Sequence, residues 1–427
     1  MLNNKPIIKH LLTVWPLLFG IFMLTTSNGL QGTLLSLRAE YEGFPVMMIG
    51  VIMSTYFAGY LFACHYVPRL VTSVGHIRVF AALASIASTS VLLHGLFITP
   101  ILWILMRLIS GFCFCGLFII TESWLNQTAK KKQRGTIFSA YIAIVNIGLF
   151  AGQFMINLGP LDSTYLFILV SILISIALAP ITLTNKPTPK FKRTEGVEFK
   201  TMLVKFPVPM SGVFVSGLCS SLMLGMTPVY ASMIGLDKSQ IAVLMGIFIL
   251  GTAFIPLLLG VLSDKMDRLI IIETACAVGI ACSLFMWFYG HYYILIFALG
   301  GIIASLYSVA ITFLNDQIKK SQVIAASRSL ILFNAIGATI GPLVGGVALS
   351  FIGANSLFGL CLLFMGSMMI LARYRSIVGK TIKPKHDFVQ VPAYAAPSVM
   401  RLQPEMPVPS DQPPQNPPPE NKEDKSA

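Results

Sequence analysis

Asn185-Lys186-Pro187-Thr188-Pro189-Lys190-Phe191-Lys192-Arg193 opens the widest polar gap in a very apolar chain, and Lys200, Lys205 and Pro207 close it. Six long apolar stretches precede this gap and six follow it. They lie near 11–36, 44–66, 78–97, 101–126, 136–157 and 162–184, then near 208–233, 238–261, 269–289, 291–314, 324–350 and 354–373. A helix needs about 20 apolar residues to cross the hydrocarbon of a bilayer, so each stretch is a predicted span. The fold class is an all-α membrane protein of about twelve transmembrane helices in two six-helix repeats. The repeats occupy 1–184 and 208–376, and 185–207 joins them. The gaps at Ile98–Pro100 and around Gly290 are the shortest, and the span count rests on them.

The basic residues sort themselves between alternate gaps. One face receives Lys5 and Lys9, Arg69 and Arg78, then Lys130, Lys131, Lys132 and Arg134. It also receives the six of the central linker, then Lys265 and Arg268, then Lys319, Lys320 and Arg328. The opposite face receives Arg38 and Lys238 alone, and Arg107 is left inside a span. Cytoplasmic loops collect Lys and Arg. The expectation is an inner-membrane protein, multi-pass, with both termini in the cytoplasm. Trp15, Trp103, Trp124 and Trp287 fall near predicted span ends, where interfacial belts form.

Composition agrees. The chain is 55% hydrophobic and 11% charged, with mean hydropathy +0.78, whereas a soluble domain carries about 25% charged residues. A net charge of +13 on such a chain is topogenic, so no nucleic-acid partner is expected; membrane lipid is. All seven cysteines lie in apolar stretches without metal-site spacing, which predicts buried thiols and no metal or other cofactor. The first stretch is too long for a signal-peptide core and reads as a retained span. Residues 377–427 turn proline-rich, ending in Pro417-Pro418-Pro419 and mixed charges. That composition predicts a disordered cytoplasmic tail.

The halves echo each other. Ile120-Thr121-Glu122-Ser123-Trp124-Leu125-Asn126-Gln127 ends span four, and Ile311-Thr312-Phe313-Leu314-Asn315-Asp316-Gln317 ends span ten. Asn146 with Gly148 and Gly152 in span five matches Asn334 with Gly337 and Gly341 in span eleven. Two six-helix repeats fit a transporter whose halves rock about a midplane site.

Specific motifs extend this over most of residues 11–373. Gly260-Val261-Leu262-Ser263-Asp264-Lys265-Met266-Asp267-Arg268 resembles the signature loop G-x-L-x-D-R/K-x-G-R of the major facilitator superfamily, with Asp267 at the usual glycine. The first-half counterpart, Pro68-Arg69-Leu70 to Gly75-His76-Ile77-Arg78, lacks the acidic residue. Arg107-Leu108-Ile109-Ser110-Gly111 resembles the fourth-span R-x-x-x-G motif. Asn28-Gly29-Leu30-Gln31-Gly32, Thr121 to Asn126 and Pro228-Val229-Tyr230-Ala231 look most like the YcaD-like group of bacterial transporters. The resemblance implies a fold, a bacterial inner-membrane location and a mechanism. It also implies that span four lines a central cavity, with Arg107 linked to substrate or coupling.

Polar residues inside the spans are the candidate site. A buried charge in a membrane faces a cavity or a partner; Arg107 does this or snorkels to headgroups. Asn28 and Gln31 share one helix face and either bind cargo or join helices. Tyr230 and Tyr307, with Asn146, Gln153 and Asn334, are further candidates of this kind. Asp264 at a helix end can face the positive start of a helix near Gly135, while Lys265 and Arg268 pair with nearby carboxylates, latching one arrangement of the halves. Glu122 either carries a proton or holds a gate by pairing with Arg69 or Arg134. Glu273 is expected to pair with Arg268 or Lys265. Span five carries Gln153 where drug/proton antiporters of the superfamily carry proline, which counts against antiport.

The function expected is secondary transport of a small organic solute by a monomer, with protons as the candidate coupling ion. No P-loop is present for ATP, and no nucleophile–base set marks an enzyme. The alternative is a non-transporting scaffold or sensor acting through its proline-rich tail.

Overall fold

The computed structural model describes residues 5–128, 134–182, 199–318 and 323–378, together with Phe388 and Gln390. Most of the linker, the lysine run 130–132, the side chains of Arg134 and Arg328 and nearly all of the tail lie outside the described residues. The first half comprises α1 (Lys5–Tyr41), α2 (Val46–Val74), α3 (His76–Leu96), α4 (Pro100–Thr128), α5 (Arg134–Phe154) and α6 (Tyr165–Thr182). A short helix, α7 (Phe199–Lys205), leads into α8 (Pro207–Met233), α9 (Lys238–Ser263), α10 (Arg268–Tyr289), α11 (Tyr293–Asn315), α12 (Val323–Phe351) and α13 (Ser356–Val378). Each predicted span coincides with one long helix. The seven-residue α7 has no apolar run to announce it.

Among the described residues, ten helices are long and apolar enough to cross a membrane, and α6 is a shorter apolar one. The exterior is apolar as lipid requires: Leu258, Ile294 and Ile370 are each more than 70% exposed. Trp15 and Trp287 sit at that exterior. Trp103 and Trp124 instead are fully buried, which corrects the belt expected of all four. Trp103 donates its indole N–H to the Phe97 carbonyl at 2.9 Å and packs on Phe44, His94 and Phe167. A satisfied indole inside the bundle has no need of headgroups.

Packing repeats with an offset of one half. In the first half α1 touches α5 and α6, α2 touches α4, and α3 touches α4 and α6. In the second α8 touches α12 and α13, α9 touches α11, and α10 touches α11 and α13. The turns repeat as well. Gly43 N–H donates to Glu40 O and Phe44 N–H to Ala39 O; Gly235 N–H donates to Ser232 O and Leu236 N–H to Ala231 O. Both are Schellman caps, with the glycines at φ 73° and 81°, a region that side-chained residues resist.

Small residues set the close approaches. Added Cβ atoms at Gly148 and Gly152 would stand 2.9 and 2.3 Å from the Phe22 and Thr26 carbonyls of α1. Those at Gly337 and Gly341 would stand 2.3 and 2.4 Å from the Phe214 and Leu218 carbonyls of α8. The glycine pairs shared by spans five and eleven are therefore the sites where α5 lies on α1 and α12 on α8.

The halves meet through α2 on α12, α5 on α9 and α1 on α8. The contacts cluster at the face opposite the basic one. A Cβ at Gly50 would lie 2.4 Å from Pro342 O and 3.0 Å from Gly346 Cα. Ser54 donates to Thr339 O, Ser36 to Gly225 O at 2.9 Å, and Phe150 and Phe154 pack on Gly246.

Candidate functional site

A cavity enclosing about 1470 Å³, mouth included, lies between the halves. Its walls are mostly apolar and aromatic, with Tyr56, Tyr60, Phe118 and Phe248 prominent. Set into them are Arg107 and the side chains of Asn28, Asn146, Gln153, Thr252, Ser216 and Asn334. The seam at Gly50, Ser54 and Ser36 closes it toward one side, and its lining runs toward the basic face through Thr252, Pro256 and Gln390. Deep walls of this kind, apolar with few convergent polar groups, suit small ligands.

Arg107 is 3% exposed and turns into the bundle, not toward headgroups. Its position follows from the motif. Gly111 is one turn further along α4, and a Cβ there would stand 1.9 Å from Tyr56 O; a Cβ at Gly59 would stand 2.0 Å from Leu108 O. The two glycines let α4 and α2 meet backbone to backbone. That approach lays the guanidinium carbon 4.4 Å from the Tyr56 ring centroid, a cation–π contact. Tyr56 in turn donates its hydroxyl to Asn28 Oδ1 at 3.2 Å. Arg107 Nη2 points at Met53 Sδ, 4.0 Å away, while Nε and Nη1 have no hydrogen-bond partner. A buried guanidinium with unused N–H groups at a cavity wall has the geometry to donate charge-assisted hydrogen bonds to an anion.

Three of the polar side chains are held by hydrogen bonds to the helices around them. Gln153 donates to Gly29 O at 2.9 Å and accepts from Thr33, tying α5 to α1. Asn334 donates to Val213 O at 2.9 Å, tying α12 to α8. Asn146 donates to Ile142 O at 2.9 Å and accepts from Thr252 across the halves at 3.5 Å. All three line the cavity. Gln31 is fully buried beside it, and neither end of its amide is hydrogen-bonded.

Tyr230 and Tyr307 are not brought to the cavity wall. Tyr230 packs between Phe358 and His291 near the non-basic end of α8, where burial pushes the His291 imidazole below its usual range. Tyr307 is fully buried in α11. Periodicity alone could not separate these tyrosines from cavity positions, because both faces of an inner helix are buried.

The gating candidates form two clusters. Arg268 is wholly buried, with Nε 2.6 Å from Asp316 Oδ2, Nη1 donating to Ser263 Oγ at 3.2 Å and Nη2 3.6 Å from Asp264 Oδ1. Asp316 was not foreseen as its partner, although its place in the Asn315-Asp316-Gln317 echo of span four was visible. Asp264 faces Arg268 and, on its other side, the Phe388 N–H at 2.7 Å, not α5. Lys265 is exposed. Glu273 meets Arg373 at 3.4 Å, correcting the pairing expected with Arg268 or Lys265; Arg268 is already engaged by Asp316. In the first half Glu122 accepts from the Tyr141 hydroxyl at 2.7 Å. Arg69 is exposed and engages His65 at 2.6 Å and the Tyr66 ring. The side chain of Arg134 lies outside the described residues.

The two basic residues of the opposite face both reach the α5–α6 connection. Arg38 donates to Leu161 O, and Lys238 Nζ donates to Gly159 O at 2.9 Å. Ser239 adds a 3.0 Å hydrogen bond to Asn157. Lys238 and Ser239 thus bolt the start of α9 to the other half. The start is itself fixed by an Asp237–Gln240 capping box.

The sequence model of the Major Facilitator Superfamily matches residues 17–294 and 209–406. The "Uncharacterized MFS-type transporter YcaD" of Escherichia fergusonii is 24% identical over 344 residues, covering 80% of this chain and 90% of that protein. Its namesake in Salmonella typhi is 23% identical over 371 residues, covering 86% and 96%. Among solved structures, a mutant of the nucleoside transporter NupG superposes with TM-score 0.72 at 13% identity, covering 84% of this chain and 98% of that one. The fucose:proton symporter FucP of E. coli gives 0.56 at 14% identity, covering 86% and 99%. At these identities the structures show a shared fold.

Proposed function

This chain belongs to the major facilitator superfamily and is a secondary transporter, and from that premise we propose that it moves a small anionic or zwitterionic organic solute across the bacterial inner membrane by alternating access. The observation that carries the charge preference is Arg107, buried at the cavity wall with Nε and Nη1 unpartnered. A carboxylate or phosphate would supply acceptors to these N–H groups, each of which forms a planar fork with Nη2 that guanidinium presents and ammonium does not. The aromatic walls then take the apolar body of the solute. The basic face is assigned to the cytoplasm, so the arrangement described is inward-open and sealed outside. Protons are the proposed coupling ion, with Glu122, buried in α4 and bonded to Tyr141, as the carrier.

The test is a melting-temperature screen of the purified protein against carboxylates, organophosphates, zwitterions and organic cations. Stabilising compounds are expected among the first three groups. A hit should accumulate in proteoliposomes under an imposed pH gradient, and Glu122→Gln should retain solute exchange while losing gradient-driven accumulation. Stabilisation by organic cations alone would overturn the assignment of Arg107.

A further inference from the structure

Phe388 and Gln390 lie beyond the last helix yet sit against α9. The Phe388 N–H donates to Asp264 Oδ1 at 2.7 Å. The Phe388 ring rests on Gly260, where an added Cβ would stand 2.2 Å from Phe388 Cδ1. Gln390 donates its amide to Thr252 O and Ala253 O, each at 3.4 Å. Pro256 explains the first of these acceptors. Proline has no N–H, so the carbonyl four residues earlier, Thr252, lacks its helical donor. Gln390 supplies that donor and forms part of the cavity wall. Three features of α9 and its C-cap thus fit one short segment: a carboxylate, a glycine notch and a carbonyl orphaned by proline.

We propose that Phe388 and Gln390 form a strap that docks along α9 at the cytoplasmic mouth, narrowing access to the cavity and holding the inward-open arrangement. Asp264 gives the strap its leverage. It is the acid of the signature loop, expected to face the start of α5 when the halves close at the basic face. While it accepts the Phe388 N–H, and while the Phe388 ring lies on Gly260, α5 cannot take that place. Release of the strap therefore precedes inner closure, and anything that captures the proline-rich residues beyond it would set the transporter free to cycle.

Ser220 lines the cavity, so Ser220→Cys reports access through the mouth. Its rate of reaction with a bulky maleimide is measured in the detergent-solubilised full chain, in Phe388→Ala/Gln390→Ala, and in the chain lacking 379–427. A strap seated nine-tenths of the time would slow labelling about tenfold relative to either variant, since access scales with the open fraction. A synthetic peptide of residues 384–394, added in excess to the truncated protein, should restore slow labelling. The same peptide with Phe388→Ala should not. Should truncation leave the protein unfolded, the double substitution carries the comparison. Equal rates in the full chain and the double variant, or a peptide without effect on a faster truncated protein, would overturn the strap.

Discussion

Arg107→Ala should weaken solute binding about a hundredfold while leaving the empty protein as stable as before, or more so. Truncating one member of a buried charge pair costs about 2–5 kcal/mol of binding, and each 1.4 kcal/mol is a factor of about ten. The sign of the stability effect follows from what Arg107 lacks. Its guanidinium is 3% exposed, and two of its three nitrogens, Nε and Nη1, have no hydrogen bond. Without ligand it is held by the Tyr56 ring and a long contact to Met53. Removing an under-satisfied buried charge relieves a cost, as happens at many functional sites. Arg107→Lys keeps the charge but not the planar fork, so it should recover about a tenth of the binding. Isothermal titration with a solute from the screen, beside melting curves of the empty variants, measures both halves of the prediction. Binding within twofold of the parent in Arg107→Ala would remove this residue from the site.

Arg268→Leu should act in the opposite way, lowering stability without touching the cavity. Arg268 and Asp316 are both buried, 2.6 Å apart, and Ser263 and Asp264 complete the cluster. Removing the cation leaves a buried carboxylate inside the second half that leucine cannot neutralise. Breaking a buried pair from one side costs about 3–5 kcal/mol. Converting both members, Arg268→Met with Asp316→Leu, should return much of that loss, because the pair's own net contribution is small beside its desolvation. The unfolding midpoint in detergent reads both variants. A single variant as stable as the parent would mean that the cluster is solvated in the working protein.

The gross architecture was legible because lipid enforces it. Backbone groups in hydrocarbon must bond within the segment, so apolar length alone gave each long helix, though not the short α7. The alternation of Lys and Arg gave the faces. The echo of Asn146, Gly148 and Gly152 in Asn334, Gly337 and Gly341 gave the repeat, and its glycines form the matching seams of α5 on α1 and α12 on α8. Arg107 with Gly111 also carried real geometry, since one helical turn puts both on the face that meets α2. What escaped was set by tertiary contact. Nothing local distinguishes Tyr56 from Tyr230, although one lies under a guanidinium and the other packs beside His291. The task of Lys238, reaching Gly159 O in the other half, depends on how two connections meet. The seat for Phe388 and Gln390 depends on a proline, a glycine and an acid spread along α9.

Rocking of two rigid halves is the central claim, and it can be tested without knowing the solute. Gly50→Leu drives a side chain into Pro342 and Gly346, where a Cβ alone would lie 2.4 Å from the Pro342 carbonyl. Overpacking of that kind costs about 1–3 kcal/mol, borne only while the outer seam is shut. Electron–electron resonance distances between spin labels at Met47 and Phe351 report the outer ends of α2 and α12, and labels at Thr136 and Lys265 report the inner ends of α5 and α9. Gly50→Leu should lengthen the first distance and shorten the second in the same molecules. Lengthening at the outer pair with no change at the inner pair would contradict the account.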